Sequence, residues 1–275
     1  MTIVSSGVQA ATPRPSILGI WRLGQVIHSG RFAELTLAQP ADAEGSPRWD
    51  YVLKRSLGAE SNPESLRQIV QFTAAASRVS HPNLVPLLDA SASGTSPYVV
   101  MPRIEGSTMQ THLESVERKP LPVALWLVRQ VAQALSAVHA AGWIHGDVKP
   151  ENVIVGPGGH VTLIDLGFAA QIHTVNGSQF RGTPDYAAPE LLSGNMAALP
   201  AADMFSLGKM LWHWLTQVQT DNDRSFEPVA ELIERLVAKD PAARPMADAV
   251  IGQLLRLEIN TLGQHFDPVT SRKAA

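Results

Sequence analysis

Cysteine is absent from this chain of 275 residues, which excludes disulfides and thiolate metal sites. No run of basic residues occurs either: 22 lysines and arginines stand against 25 acidic residues, and a net charge of -3 leaves no electrostatic footprint for nucleic acid. Long apolar runs are also missing, since no stretch approaches the roughly eighteen residues that cross a bilayer. Met1 to Ser16 lack the cationic start and apolar centre of a secretory signal. The expectation is a cytoplasmic protein with no nucleic-acid partner and no membrane span.

What is present is apolar enough to fold. A hydrophobic content of 45% over this length suits one large domain or two lobes. Ser5 to Ser16 is small, polar and proline-containing and reads as a mobile leader, and Gly263 to Ala275 reads as a loose tail. Between them, β-rich runs at Leu18 to Ile27, Phe32 to Ala38 and Asp50 to Arg55 precede a helical pattern from Pro63 to Val79, with Asn62 as N-cap and Pro63 at the first helical position. A further strand at Tyr98 to Met101 runs into Pro102-Arg103-Ile104-Glu105-Gly106. Beyond it, Ala124, Val128, Val131, Leu135 and Val138 repeat at helical spacing up to Gly142, so the second half is mainly helical.

The chemistry concentrates in His145-Gly146-Asp147-Val148-Lys149-Pro150-Glu151-Asn152, followed by Asp165-Leu166-Gly167. Two acids, a lysine and an amide suit phosphoryl transfer from a nucleotide. That reaction needs a carboxylate to orient the attacking hydroxyl, a cation for the moving phosphoryl, and an amide and a second carboxylate for Mg²⁺.

These motifs, in this order, resemble those of the eukaryotic-like (Hanks-type) serine/threonine protein kinases. His145-Gly146-Asp147 is similar to His-Arg-Asp without its arginine, Asp165-Leu166-Gly167 to Asp-Phe-Gly, and Gly182-Thr183-Pro184-Asp185-Tyr186-Ala187-Ala188-Pro189-Glu190 to an activation segment closing on Ala-Pro-Glu. The resemblance implies an α+β, bilobal fold: a leader at 1–17, an N-lobe at 18–101, a hinge at 102–106, a C-lobe at 107–258 and a tail at 259–275. It implies ATP and Mg²⁺ as cofactors, Asp147 and Lys149 as catalytic residues, and Asn152 and Asp165 as metal ligands. Lys54, Gly30, Met101 and Ile104 fall at the ATP-binding positions. His145, Glu190, Asp203 and Arg244 fall at structural ones, with Asp203 bracing the catalytic loop and Glu190 pairing with Arg244.

Some positions depart from the pattern. Only Gly30 remains of three glycines in the phosphate-covering hairpin, where His28 and Ala33 fill the others, and Val52 replaces an alanine against the adenine ring. Counting back from His81 to the helix glutamate that pairs with Lys54 lands on Phe72, with Gln71, Gln68 and Glu64 nearby, so the lysine-glutamate pair is absent. A charged hydrogen bond contributes roughly 1.5–3 kcal/mol, so its loss impairs the site and does not abolish it. Gly146 removes the cation that would meet a phosphate at Thr174 or Ser178. The short segment Val218 to Ser225 reduces the substrate platform. The residues therefore support a serine/threonine kinase acting on a protein substrate. Two alternatives stay open: a pseudokinase that binds nucleotide or a regulatory protein partner, and a small-molecule phosphotransferase.

Overall fold

The computed structural model describes residues 16–58, 62–93, 96–175, 180–193, 197–219 and 226–265. The leader up to residue 15, Ser178 and the tail beyond 265 lie outside them. The chain opens with strands β1 (Ile17–Leu18), β2 (Trp21–Ser29), β3 (Ala33–Pro40) and β4 (Tyr51–Ser56), then helix α1 (Pro63–Ala76) and strands β5 (Asp89–Ser91) and β6 (Tyr98–Pro102). These strands form one antiparallel sheet in the order β1-β2-β3-β4-β6-β5. Ile17 pairs with Arg22, so the sheet begins one residue before the expected boundary at 18. Pro63 opens α1 as expected, but the Asn62 side chain makes no capping hydrogen bond.

Side chains alternate across a strand, so Leu53 and Val100 point to one face of the sheet and Val52, Lys54, Val99 and Met101 to the other. The first face packs with Trp21, Leu23, Ala38 and Tyr98. The second meets Ile69, Phe72 and Ala75 of α1, which are fully buried. Lys54 is thereby carried on the face that looks towards α1 and the second lobe, and is itself buried.

The second lobe contains β7 (Ser107–Thr108), α2 (Met109–Leu113), β8 (Lys119–Pro120), α3 (Leu121–Ala140), β9 (Trp143–Ile144), β10 (Val153–Val155), β11 (Val161–Leu163) and β12 (Ala170–Gln171). It continues with α4 (Pro189–Leu192), α5 (Pro200–Gln217), β13 (Val218–Gln219), α6 (Glu227–Leu236) and α7 (Ala247–His265). The whole is an α+β, bilobal architecture, with a β-rich N-lobe and a mainly helical C-lobe. Helix α7 continues past residue 258, and Thr261 on it is buried, so the expected start of the tail at 259 is corrected to beyond the helix.

Helix α3 corrects a second expectation. Its 20 residues are long and apolar enough to cross a membrane by length and composition. In the fold 67% of the most apolar part of this helix is buried. The reason is packing: Ala124, Val128, Val131, Ala132 and Leu135 are completely covered, and each buried leucine or valine side chain contributes about 1.5–3 kcal/mol. Apolar residues surround this helix because neighbours surround it.

Candidate active site

The loop between β9 and β10 is held from below by a buried carboxylate. Asp203, in the first turn of α5 and 1% exposed, accepts the backbone N–H groups of His145 at 2.8 Å and Gly146 at 2.9 Å. His139 Nε2, on the last turn of α3, lies 2.8 Å from the same carboxylate. Burial acts to raise the pKa of Asp203, but the hydrogen bond and charge of His139, with His145 and the Gly146 N–H, hold it below the ordinary carboxylate range. His145 is fully buried and its Nε2 sits 3.0 Å from the Ile164 carbonyl, tying the loop to the residue before Asp165. Gly146 adopts φ +79°, and a β-carbon there would lie 2.5 Å from the Phe168 carbonyl oxygen. A side chain is therefore disfavoured at 146 by backbone angle and by space.

Asp147, buried by this arrangement, is met from two sides. Asn152 Nδ2 donates to its backbone carbonyl at 2.8 Å and to its Oδ2 at 2.9 Å. Lys149 Nζ lies 3.1 Å from the same Oδ2 and donates to Thr183 Oγ1 at 2.6 Å. Ile164 N donates to the Asn152 carbonyl at 2.8 Å, so Asn152 and Asp165 are fastened side by side.

Asp165 sits in the left-handed region at φ 66°, which few residues other than glycine adopt, and its Oδ1 accepts from Gly167 N at 3.1 Å. Lys54 Nζ pairs with that Oδ1 at 2.5 Å. Partial burial of Asp165 acts to raise its pKa, and the Lys54 charge and hydrogen bond override this, leaving the carboxyl below its usual range. Among the described residues no three His, Asp or Glu side chains gather into an all-protein metal cage. One carboxylate and one amide oxygen nevertheless suit a hard cation that takes its remaining ligands from phosphates and water. Asn152 spends its N–H donors on Asp147, leaving its amide oxygen, and Asp165 already neutralises a cation, the Lys54 ammonium. The donor set fits Mg²⁺.

The family described as protein kinase domain matches residues 44–224. This chain belongs to that family. It is similar to the serine/threonine-protein kinase PkaB of Streptomyces coelicolor, 36% identical over 56% of this chain and 40% of that protein. It is also similar to the serine/threonine-protein kinase PknA of Mycobacterium tuberculosis, 30% identical over 69% of this chain and 52% of that one. A third relative, the probable serine/threonine-protein kinase KCC4 of Saccharomyces cerevisiae, is 30% identical over 78% of this chain and 21% of its own length. The chain thus spans about half or less of these relatives. The protein kinase family in general uses ATP with Mg²⁺.

The kinase match begins at residue 44, after the β2–β3 turn, and ends before Arg244. Gly30 lies in that turn, its N–H bonded to the Ala33 carbonyl at 2.9 Å. Met101, buried near the end of β6, pairs in register with Val52 of β4, and half-buried Ile104 follows two residues past β6. Arg244 grips Glu190 through Nη1–Oε1 at 2.5 Å and Nη2–Oε2 at 2.9 Å, with the arginine side chain fully buried.

Helix α1 does not place Phe72 opposite Lys54. Phe72 is a fully buried core residue. One turn earlier, the Gln68 Cβ and Lys54 Nζ both lie 3.3 Å from the point a Gly167 β-carbon would occupy, and Asp165 Oδ1 lies 3.0 Å from it. Gln68 therefore takes the place that counting assigned to Phe72. Glu64 turns away to Arg181, Nε–Oε2 3.2 Å. Sequence reasoning passed over Arg181 and His139. For His139 a signal existed, a histidine in the last turn of an otherwise apolar core helix; for Arg181 no local pattern marked its partner.

Proposed function

We propose that this kinase domain transfers the γ-phosphoryl group of ATP to serine or threonine hydroxyls of a protein substrate. Asp147 accepts the hydroxyl proton as the oxygen attacks γ-phosphorus and the bond to the β,γ-bridging oxygen breaks, releasing ADP. Lys149 neutralises the moving phosphoryl, Lys54 binds the α- and β-phosphates, and Gly30, Met101 and Ile104 border the nucleotide. Asn152 and Asp165 would hold Mg²⁺, which when bound offsets charge on the phosphates. His145, Asp203 and the Glu190–Arg244 pair keep the loop and the activation segment in place. A cytoplasmic setting with a protein substrate or regulatory partner completes the reading.

The observation that carries it is Lys149, whose ammonium spans Asp147 and Thr183 and so joins the base to the segment that would receive a substrate hydroxyl. The test is transfer of labelled phosphate from Mg-ATP to a generic basic protein and to the chain itself. Asp147→Asn should lower the rate by about 10²–10⁴-fold with nucleotide binding retained. Equal rates in wild type and Asp147→Asn would refute the reading. Nucleotide binding without transfer would favour a binding module, and transfer to hydroxylated metabolites alone would favour a small-molecule phosphotransferase.

A further inference from the structure

The cleft-facing stripe of α1 runs Glu64, Gln68, Phe72, one residue per turn, and each member meets a different environment. Glu64 points to the activation segment, where Arg181 takes it at 3.2 Å, with Arg67 at 3.9 Å. Phe72 enters the apolar core. Gln68, between them, stands over Lys54 and Asp165, is 4% exposed, and its Nε2 has no hydrogen-bond partner. An unpartnered buried amide is costly, and the structure retains one beside a buried ammonium.

The consequence lies in the charge count around Lys54. Its side chain is 6% exposed, and among the described residues Asp165 is its sole carboxylate partner. A buried cation needs an anion. Because the residue overhead is an amide, the anion must come from Asp165, the same carboxylate that the proposed function assigns to the metal. Asp165 then has two claimants: Lys54 in the free protein and a divalent ion in the nucleotide complex.

We infer that Gln68 is the positioning residue that makes metal binding at Asp165 conditional on nucleotide: by withholding a carboxylate, it leaves Lys54 on Asp165 until phosphates draw the lysine away. This rests on the reading of Asp165 as a metal ligand. With a carboxylate at 68, Lys54 would have a standing partner, and Asp165 would be open to the metal in advance. Gln68 touches neither substrate nor reacting atoms; it acts through Lys54.

The test is the ratio of ADP dissociation constants measured by calorimetry without and with Mg²⁺, a binding readout independent of turnover. Because the metal would then bind without waiting for nucleotide, Gln68→Glu should lower this ratio by about tenfold, a coupling loss of roughly 1.4 kcal/mol. Gln68→Leu, which removes the amide without adding charge, should leave it as in wild type. Lys54→Met, which removes the competing cation, should likewise lower the ratio even as overall affinity falls, and it decides the question should Gln68→Glu fail to fold. A ratio unmoved or raised in Gln68→Glu or in Lys54→Met overturns the inference, as does an equal fall in Gln68→Leu. In those cases ADP still binds the wild type and the proposed function stands. Failure of ADP to bind the wild type under either condition overturns both.

Discussion

Arg181 Nε lies 3.2 Å from Glu64 Oε2, joining the activation segment to α1 across 117 positions of sequence. Both side chains are about one-fifth exposed, 20% and 24%. A pair of this exposure contributes about 0.2–1 kcal/mol. Because α1 also carries Gln68 over Lys54, loosening the pair should reach the nucleotide site. Arg181→Gln and Glu64→Gln should each lower kcat/KM by about two- to fivefold, and the double variant should lose no more than either single one. Additive losses in steady-state kinetics would contradict this coupling.

The buried pair Glu190–Arg244 should behave differently. Breaking one partner leaves the other charge buried and unpaired, at a cost of about 3–5 kcal/mol. Arg244 also donates to the Ala238 and Ala201 carbonyls at 2.8 and 2.9 Å, so it ties α4, α5 and the loop before α7 together. Arg244→Met should lower the melting temperature sharply, while turnover per folded molecule at low temperature stays near wild type. A variant that melts normally but turns over slowly would show that the pair acts in catalysis.

Asp203 sets a pH dependence of stability. Its pKa in the folded chain lies below its ordinary value of 3.8, with His139 and His145 as the ionisable groups facing it. A carboxyl with a depressed folded pKa stabilises above its unfolded value and loses that contribution as pH falls through the folded one. Urea midpoints of wild type should therefore drop as pH falls below about 4. Asp203→Asn should be less stable at pH 7 and show a shallower drop across the same window. Parallel curves for the two proteins would exclude Asp203 as the source.

Gly146 supplies a fourth test. With φ +79° and the Phe168 carbonyl in the way, Gly146→Ala should destabilise by about 1–3 kcal/mol and shift the Asp147 backbone. Turnover should fall more than ADP affinity does. Unaltered stability and turnover would mean that the loop accommodates a β-carbon at no cost.

Much of the second-lobe site was legible because its members are close in sequence: Asp147, Lys149 and Asn152 sit within one loop whose local bonds bring them together. The strand that carries Lys54 was legible as well: the expected run Asp50 to Arg55 corresponds to β4, Tyr51–Ser56. The α1 register was not legible, because counting back from His81 assumes a fixed connection. The helix ends at Ala76, and the residues between it and His81 form a non-helical link, so the lysine-facing position falls one turn earlier, at Gln68. Such a link leaves no periodicity to read. The end of α7 was misplaced for a related reason: Ile259 and Leu262 are exposed on it, so the apolar pattern that marks a packed helix fades before the helix does. Helix α3 was legible from its spacing, and it meets the length and composition of a membrane span only because a helix packed among neighbours loses the polar face that would set it apart.

The most direct measurement is the position of a divalent ion in a complex with a non-hydrolysable ATP analogue and Mn²⁺, read from its anomalous X-ray scattering. The expected peak lies between the amide oxygen of Asn152 and the carboxylate of Asp165, about 2.0–2.2 Å from each, with Lys54 moved from Asp165 to the phosphates. An ion bound elsewhere, or a nucleotide seated with Lys54 still paired to Asp165 and no metal between those side chains, would contradict it.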